Sequence, residues 1–547
     1  MIRNVDGSIS LEMDARLASI NTDPDKGNFI DEGQLKEALK GFKLFESLEL
    51  LASFSNAMYS EKLPDGWERV AKGLIRHKLS GVLVTQGELE YLQNLFIISG
   101  SNDYKALSIK QKDNLLAIFN IYSHSLIIGS VQSRNIISIM VTLWQEQFRC
   151  QTNDLQSYGR AAFFFQKLDG IIFDGKTLND IFNDRTNLSI EEYFNIASVM
   201  LAYAITNPHI LIGPLDSESL DFKKIIDNDK LIKYLSLYAA TYDNFRKLDI
   251  EQNKNLDPKD TKNRFNPLWR KPILYLKEKD YLIPSITAFI QSNFSGLYWF
   301  FDDLFMNEDL GSSISKTTFR EFFGKHIFEP YVGLVLKDIF GEKYITPEII
   351  YGGKEKKAFT DWIAIDGDDA YVFEVKAYHF PFKTLQTGDL ELIANEIAKK
   401  LVTDTIQKIN KKIPDIKTSP ELAFLKGKNI IPVVITYNVP LIDTSIYRNS
   451  LKDVLDKNIY QILEQFNGYL LNISDLEIFR HVSNFTKLKD VLASTKNTNS
   501  NFDSEIRRLL RATKAKIADT LPGRLYQEKM DYIASMLATS TNGKTSI

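Results

Sequence analysis

The sequence has almost no cysteine: Cys150 is the only one among 547 residues. One thiol cannot close a disulfide within the chain, and it cannot build a zinc site that needs several cysteines. The six histidines never approach metal-ligand spacing such as HxxxH. A disulfide framework and the common zinc motifs are therefore excluded.

Long apolar runs are also missing. The two most apolar segments, 125–144 and 195–213, are interrupted by Arg134 and Pro208. Neither segment provides the roughly 20 apolar residues that a membrane-spanning helix needs. The first ten residues contain no apolar run of the kind that marks a secretory signal. We interpret both segments as buried helices and expect a soluble, cytoplasmic protein without a membrane partner.

Neither sign of charge dominates. Lys and Arg number 67 against 70 Asp and Glu, so the net charge is −3 and the chain is not a polycation. Any nucleic-acid contact must depend on local basic clusters, because phosphate binding follows the local field. Such clusters occur at 354–357, 408–412 and 507–516, although runs of this kind also form ordinary solvated helix faces.

The chain is too long for one hydrophobic core, and two to four domains are expected. Residues 1–310 carry apolar residues at three- and four-residue spacing in segments such as 190–205. This spacing predicts a large, mainly α-helical region of one or two subdomains. After a Gly-Ser-Ser linker, we predict a core over 311–445 and a mainly helical C-terminal extension over 446–547, in which 468–479 is a candidate for a further edge strand.

The predicted core begins with a helix. Thr318 and Glu321 fit a capping box that opens this helix, and Gly341 is placed to end it. Because Pro330 lies inside the helix, a kink or two abutting helices are expected.

Strands and one further helix complete the core. Residues 343–353 form a strand candidate and 357–380 a hairpin, whereas 388–413 predicts a long helix that Pro414 ends. Residues 428–439 are a nearly continuous apolar run, typical of a strand buried on both faces. The order is helix, three strands, helix, strand, which indicates a mixed α+β or α/β fold.

The hairpin brings charged residues together. An Asp-Gly-Asp turn signal at 366–368 separates two β-rich runs, and two two-residue turns are possible there. In both registers Asp361 shares a face with Glu374 and Lys376, because opposing residues share a face. In one register Asp361 lies directly opposite Glu374, with Cβ atoms about 4.5–5.5 Å apart. A three-residue loop would instead move Asp361 to the face of Val375.

Two carboxylates at this distance repel each other unless a cation neutralises them. Mg²⁺ suits the site, because it prefers oxygen ligands and takes one or two carboxylates together with waters and substrate phosphate. Lys376 can hold a water or stabilise charge on a phosphoryl oxygen. The alternative is an exposed hairpin with a surface Asp and an ordinary Glu–Lys arrangement, and spacing alone does not decide between the two.

The pattern Asp361, then Glu374-Val375-Lys376, on a hairpin between two helices resembles the PD-(D/E)xK nuclease family. Thr360 stands where the name-giving proline would be, a replacement that is common in the family. The resemblance covers residues 318–440 and implies a restriction-endonuclease-like αβββαβ core. It also implies Mg²⁺, or Mn²⁺ in its place, held by Asp361, Glu374 and Glu329, with Lys376 near the attacking water. The nucleic-acid-binding candidates on the following helix are Gln407, Lys408, Lys411 and Lys412.

The resemblance implies a metal-dependent endonuclease, of the kind found among bacterial restriction or anti-phage defence effectors. DNA is the favoured substrate and RNA stays open. The region 1–310 would recognise a target, a partner protein or an activator, and a homo-oligomer is expected.

The first alternative is a non-catalytic nucleic-acid-binding or assembly protein that retains the fold. The second, a calcium-binding protein, depends on an EF-hand-like loop at 23–34 whose essential glycine and glutamate are Asn28 and Gln34, so we set it aside.

Overall fold

The computed structural model describes most of the chain from residue 154 onward and separate parts before it. The described residues are 2–3, 9–10, several positions between 36 and 52, 86–99, 154–168, 170, 172–173, 175–206, 211–212, 226–254, 266–277, 280–306, 318–379, 394–438, 452, 454–498, 502–513 and 520–542. The EF-hand-like loop at 23–34 and the segment 125–144 lie outside them.

Helices make up most of the described residues. The α-helices are α1 (Gln86–Ser99), α2 (Asp154–Ala162), α3 (Leu178–Thr186), α4 (Ile190–Thr206), α5 (Asn228–Tyr238), α6 (Tyr242–Asn253), α7 (Ile286–Ile290), α8 (Leu297–Met306), α9 (Phe319–Phe322), α10 (Glu329–Phe340), α11 (Gln407–Lys412), α12 (Lys457–Gln465), α13 (Ile473–Phe479), α14 (Leu488–Thr498), α15 (Phe502–Thr513) and α16 (Leu521–Asn542). Wider π-helical turns span Phe163–Lys167, Gln291–Ser295, Phe323–Phe328 and Ile397–Ile406. No helix in these ranges is both long enough and apolar enough to cross a membrane.

The strands are short, apart from those near the predicted site. They are β1 (Ile2–Arg3), β2 (Ile9–Ser10), β3 (Ile172–Phe173), β4 (Lys176–Thr177), β5 (Leu211–Ile212), β6 (Ala239–Thr241), β7 (Ile273–Lys277), β8 (Asp280–Leu282), β9 (Ile345–Pro347), β10 (Ile350–Tyr351), β11 (Lys357–Ala358), β12 (Trp362–Asp366), β13 (Asp369–His379), β14 (Asn429–Asn438) and β15 (Tyr469–Asn472).

The chain forms two compact units. One comprises Met1–Asp154, Thr186–Asn293 and Ile533–Ile547, and the other comprises Leu155–Arg185 and Phe294–Tyr532. The predicted core over 311–445 falls in the second unit, which also takes in most of the predicted C-terminal extension.

The first unit contains a sheet that the prediction of a mainly helical region omitted. Its strands lie in the order β5-β8-β7-β6, with β6 and β7 parallel and the other neighbours antiparallel. The strands are two to five residues long, too short for an alternating pattern to be recognised in the sequence. Helix α4 does form where apolar spacing predicted it, and its buried Tyr193 donates a 2.8 Å hydrogen bond to the carbonyl of Asn293.

The second unit is built on a mixed five-stranded sheet in the order β15-β14-β13-β12-β9. β12 is antiparallel to both β9 and β13, whereas β14 is parallel to β13 and to β15. Helical segments precede β9 and connect β13 to β14. The chain is therefore a mixed α+β protein with helix, three strands, helix and strand in the predicted order, and β15 is the further edge strand expected near residue 470.

The helical segment before the sheet has the predicted ends and the predicted break. Thr318 and Glu321 form both hydrogen bonds of a capping box, and Gly341 ends α10 with a φ of 88°. Between α9 and α10 the chain makes a π-helical turn, and Pro330 lies in the first turn of α10. A proline lacks the N–H that would continue the helix and clashes with the preceding turn, so the wider turn accommodates it.

Both faces of this sheet are covered. On one face α10 packs so closely against β12 that a Cβ atom on Gly333 would lie 2.2 Å from the Trp362 indole. The indole Nε1–H also donates a 3.0 Å hydrogen bond to the carbonyl of Glu329. On the other face Ile363 and Val372 pack in an apolar cluster with residues of the helical turns at 413–425. Contacts on opposite faces thus hold the hairpin strands.

A buried ion pair joins the C-terminal part of this unit to its first helix. Arg160 of α2 makes a 2.6 Å salt bridge to Glu477 of α13, and both residues are buried. The Tyr331 hydroxyl of α10 donates a 2.6 Å hydrogen bond to the same carboxylate. The sheet also continues through β15, so the unit extends beyond residue 445, where we predicted the core to end.

The close approach of α10 to β12 predicts a specific sensitivity to side-chain volume. Gly333→Ala should lower the free energy of unfolding by about 1–3 kcal/mol, because the added methyl group would overlap the Trp362 ring. Gly324→Ala is the matched control, since its Cβ would lie 3.5 Å from Ala377 in ordinary contact. Urea unfolding followed by tryptophan fluorescence measures both, and equal midpoints for the two variants would contradict the packing described.

Candidate active site

The hairpin between β12 and β13 adopts one of the two predicted registers. Asp366 pairs with Asp369 and Trp362 with Phe373, so residues 367 and 368 form the turn. Gly367 has a φ of 64°, whereas the φ of Asp368 is not positive. Glycine first is the pattern of a type II′ hairpin turn. Continued by one residue, this register places Asp361 opposite Glu374.

Asp361 touches the neighbouring strand directly. Its Oδ2 atom accepts a 2.6 Å hydrogen bond from the backbone N–H of Val375. Burial and then the negative charge of Glu374 raise the pKa of Asp361 to about 6, against the opposing effects of Lys376 and of the Val375 N–H. The two acids predicted to share a face therefore do influence each other.

Glu374 is the most buried of the predicted site residues, with 5% of its surface exposed. Its Oε1 atom accepts a 2.7 Å hydrogen bond from the Lys376 ammonium. Its Oε2 atom is buried and has no hydrogen-bond partner, and the Lys412 ammonium lies 3.8 Å from it. A buried carboxylate oxygen without a donor is costly and uncommon, and it can coordinate a cation.

Lys376 stays charged in this setting. Burial opposes its positive charge, but Glu374, Asp361 and Glu329 together outweigh this effect and raise its pKa above the usual value. The ammonium group is therefore suited to stabilising negative charge and not to accepting a proton.

Glu329 lies in the first turn of α10, half-buried. Burial, followed by the charges of Asp361 and Glu348, raises its pKa to about 7.

Glu348, which directly follows edge strand β9, was not predicted from the sequence. Because Trp362 pairs with Pro347, the same register continued by one residue places Glu348 beside Asp361. The one feature of the sequence that could have indicated Glu348 is its position as an acid at the end of a strand next to the hairpin.

The four nucleic-acid-binding candidates, Gln407, Lys408, Lys411 and Lys412, all lie on α11. Lys412, at its C-terminal end, is the candidate whose ammonium approaches the site, through Glu374. Lys408 and Lys411 are exposed, and Gln407 is partly so. Lys411 is adjacent to Lys412 and so points in a different direction, whereas Lys408 shares a face with Lys412 but lies one turn earlier on the helix.

The three acids predicted as metal ligands are not assembled into a ready site. The described residues contain no group of three or more His, Cys, Asp and Glu side chains that could hold a metal ion. Two of the relevant oxygens already have partners, since Val375 donates to Asp361 and Lys376 donates to Glu374. The unpartnered Oε2 of Glu374 and the raised pKa of Asp361 nevertheless fit a divalent cation held by these two acids.

Comparison of the chain with protein-family models, with curated proteins and with solved structures finds no match. The resemblance to the PD-(D/E)xK family thus remains a prediction from the motif. What the chain itself provides is the paired carboxylates, the adjacent lysine and the order of helices and strands that carries them.

The raised pKa predicts how Asp361 affects stability. The unfolded chain ionises at the usual value of 3.8, whereas the folded chain resists ionisation up to about pH 6. The charged group therefore destabilises the fold above about pH 6 and has no effect below about pH 4. We expect Asp361→Asn, without divalent metal, to raise the free energy of unfolding by about 1 kcal/mol at neutral pH, a value discounted for partial exposure.

Urea unfolding at about pH 7.5 and at about pH 4 tests this expectation. The amide of the Asp361→Asn variant keeps an oxygen that can accept the Val375 N–H, so the comparison isolates the charge. Asp368→Asn at the exposed turn is the control and should change neither midpoint. A lower midpoint for Asp361→Asn at neutral pH would show that the carboxylate stabilises the fold instead.

Proposed function

We propose that the protein is a divalent-metal-dependent nuclease that hydrolyses phosphodiester bonds at the hairpin. The observation that carries this proposal is the buried Glu374 carboxylate, which has one oxygen on Lys376 and the other without a hydrogen-bond partner, beside Asp361. Local packing alone does not account for such an arrangement, since charged groups are rarely buried with an open oxygen.

The order of elements supports the same proposal. A helix, an antiparallel set of three strands, a helix and a parallel strand carry the acids and the lysine. This is the arrangement that the resemblance to the PD-(D/E)xK family implies, and we assign the core to a restriction-endonuclease-like fold on that basis. The β13 pairing with β14 also shifts register just after Lys376, and irregularities of this kind are frequent next to active sites.

Asp361 and Glu374 would hold the metal, with Mg²⁺ favoured and Mn²⁺ able to replace it. A bound Mg²⁺ would offset phosphate charge and make a coordinated water more acidic. Two carboxylates are sufficient, because Mg²⁺ keeps several waters and takes further ligands from the substrate phosphate. We give Glu329 a different role from these two ligands, because its raised pKa suits a group that exchanges protons.

Hydrolysis forms a bond from a water oxygen to phosphorus and breaks the bond from phosphorus to the leaving oxygen. Lys376, which stays protonated, would orient the water and stabilise charge on the phosphoryl oxygens. Glu329, with a pKa of about 7, would accept the proton that the water loses. The leaving oxygen takes a proton from solvent.

DNA is the proposed substrate, with RNA as the alternative, and both rest on the family resemblance. The same resemblance underlies the proposed role in restriction or anti-phage defence, the cytoplasmic location, the homo-oligomer, and recognition of a partner or activator through 1–310. A second candidate function, a non-catalytic nucleic-acid-binding scaffold, is favoured by one observation: Lys376 already neutralises one oxygen of Glu374.

Plasmid DNA and single-stranded RNA incubated with Mg²⁺ separate these functions. We expect cleavage by the native chain, no cleavage by Asp361→Asn, and a rate lowered about 10²–10³-fold in Lys376→Met through lost charge stabilisation. Asp368→Asn, at the exposed turn, is the control and should cleave at the native rate. Equal products from the native chain, Asp361→Asn and Lys376→Met would overturn the assignment, and nucleic-acid binding without cleavage would favour the scaffold.

Glu329→Gln distinguishes a proton acceptor from a metal ligand. As a proton acceptor, Glu329 should contribute about 10²–10⁴-fold to the rate, while Mn²⁺ affinity measured by calorimetry should stay close to native. A marked loss of Mn²⁺ affinity would instead make Glu329 a ligand, as the family resemblance implies.

A further inference from the structure

Two ammonium groups flank the buried carboxylate of Glu374. Lys376 donates a 2.7 Å hydrogen bond to Oε1. The Lys412 ammonium lies 3.8 Å from Oε2, the oxygen without a hydrogen-bond partner. This distance is within ion-pair range but beyond hydrogen-bonding range, so Lys412 is the more weakly held of the two cations.

The backbone holds Lys412 at this position from both sides. Ile409 is fully buried one turn earlier, and Ile413 packs against the apolar cluster that includes Ile363 and Val372. Pro414 follows at once in the next helical turn. Lys412 is thus anchored at its Cα, while a quarter of its side chain is exposed and can move its charge between Glu374 and solvent.

We propose that Lys412 binds a substrate phosphate and that it exchanges partners when the site is loaded. In the free protein its ammonium lies beside Oε2 of Glu374. When a divalent cation takes that oxygen, Lys412 turns to a non-bridging oxygen of the phosphodiester. The proposal rests on the proposed nuclease function and names the residue that links metal binding to substrate binding.

The exchange has consequences of opposite sign for the two ligands. Without the Lys412 charge, a divalent cation competes with one cation fewer, so metal should bind more tightly. The phosphate should bind more weakly, because one phosphate contact is lost. A merely structural lysine would not produce this pair of effects, since general damage to the site would weaken the binding of both the metal and the phosphate.

The test uses the full chain and the variant Lys412→Met, which keeps most of the side-chain length. Mn²⁺ affinity by calorimetry should rise about two- to fivefold, the effect of one partly exposed charge pair. Affinity for a labelled duplex DNA oligonucleotide, measured by anisotropy with Ca²⁺ over a range of salt concentrations, should fall about fivefold at physiological salt. The slope of log affinity against log salt should drop by about 1.

Lys417→Met is the matched control, since Lys417 is an exposed lysine five residues further along. It should match the native chain in both measurements. Lys412→Arg keeps the positive charge and should keep the native salt slope, which provides a second readout if the methionine variant does not fold. A native salt slope in Lys412→Met, or weaker Mn²⁺ binding, would overturn the inference. Unchanged Mn²⁺ binding in Asp361→Asn would instead overturn the nuclease site itself.

Discussion

The pairing register of β12 and β13 is the constraint on which the candidate site depends. A slip by one residue would send every side chain of a strand to the opposite face of the sheet, and Asp361 would no longer lie opposite Glu374. The turn at Gly367 sets the register, and lysines outside the hairpin hold its tip. Lys428 donates to the Gly367 carbonyl at 2.7 Å, and Lys489 makes a 2.6 Å ion pair with Asp369.

The site works against the stability of the fold that carries it. Burial and mutual repulsion raise the pKa values of Asp361 and Glu329, and Glu374 keeps a buried oxygen without a donor. Core residues on the same face, such as Ile363 and Val372, show the ordinary apolar solution. Within the hairpin, this departure from the apolar pattern lies at the end where the acids meet, as expected if the proposed function is right.

Close packing around the hairpin offsets the unfavourable burial of these charged groups. Gly333 lets α10 approach Trp362, whose indole N–H reaches the carbonyl of Glu329. The buried Arg160–Glu477 pair ties α2 and α13 into the same unit. A buried pair of this kind contributes little net stability, but removing one partner is costly because the other charge stays buried. The unit is thus held by contacts between residues far apart in sequence. These contacts position Glu329 and Asp361.

Features that depend on neighbouring residues could be predicted from the amino-acid sequence. The capping box of Thr318, the stop at Gly341 and the break at Pro330 follow from hydrogen bonds one turn away, and the shared face of the hairpin acids follows from the two-residue period of a strand. Folding in three dimensions selected which of two turns forms and gave the first unit its own short strands. It also brought Lys412 and Glu348 to the acids. These outcomes depend on packing between distant segments, which no local spacing encodes.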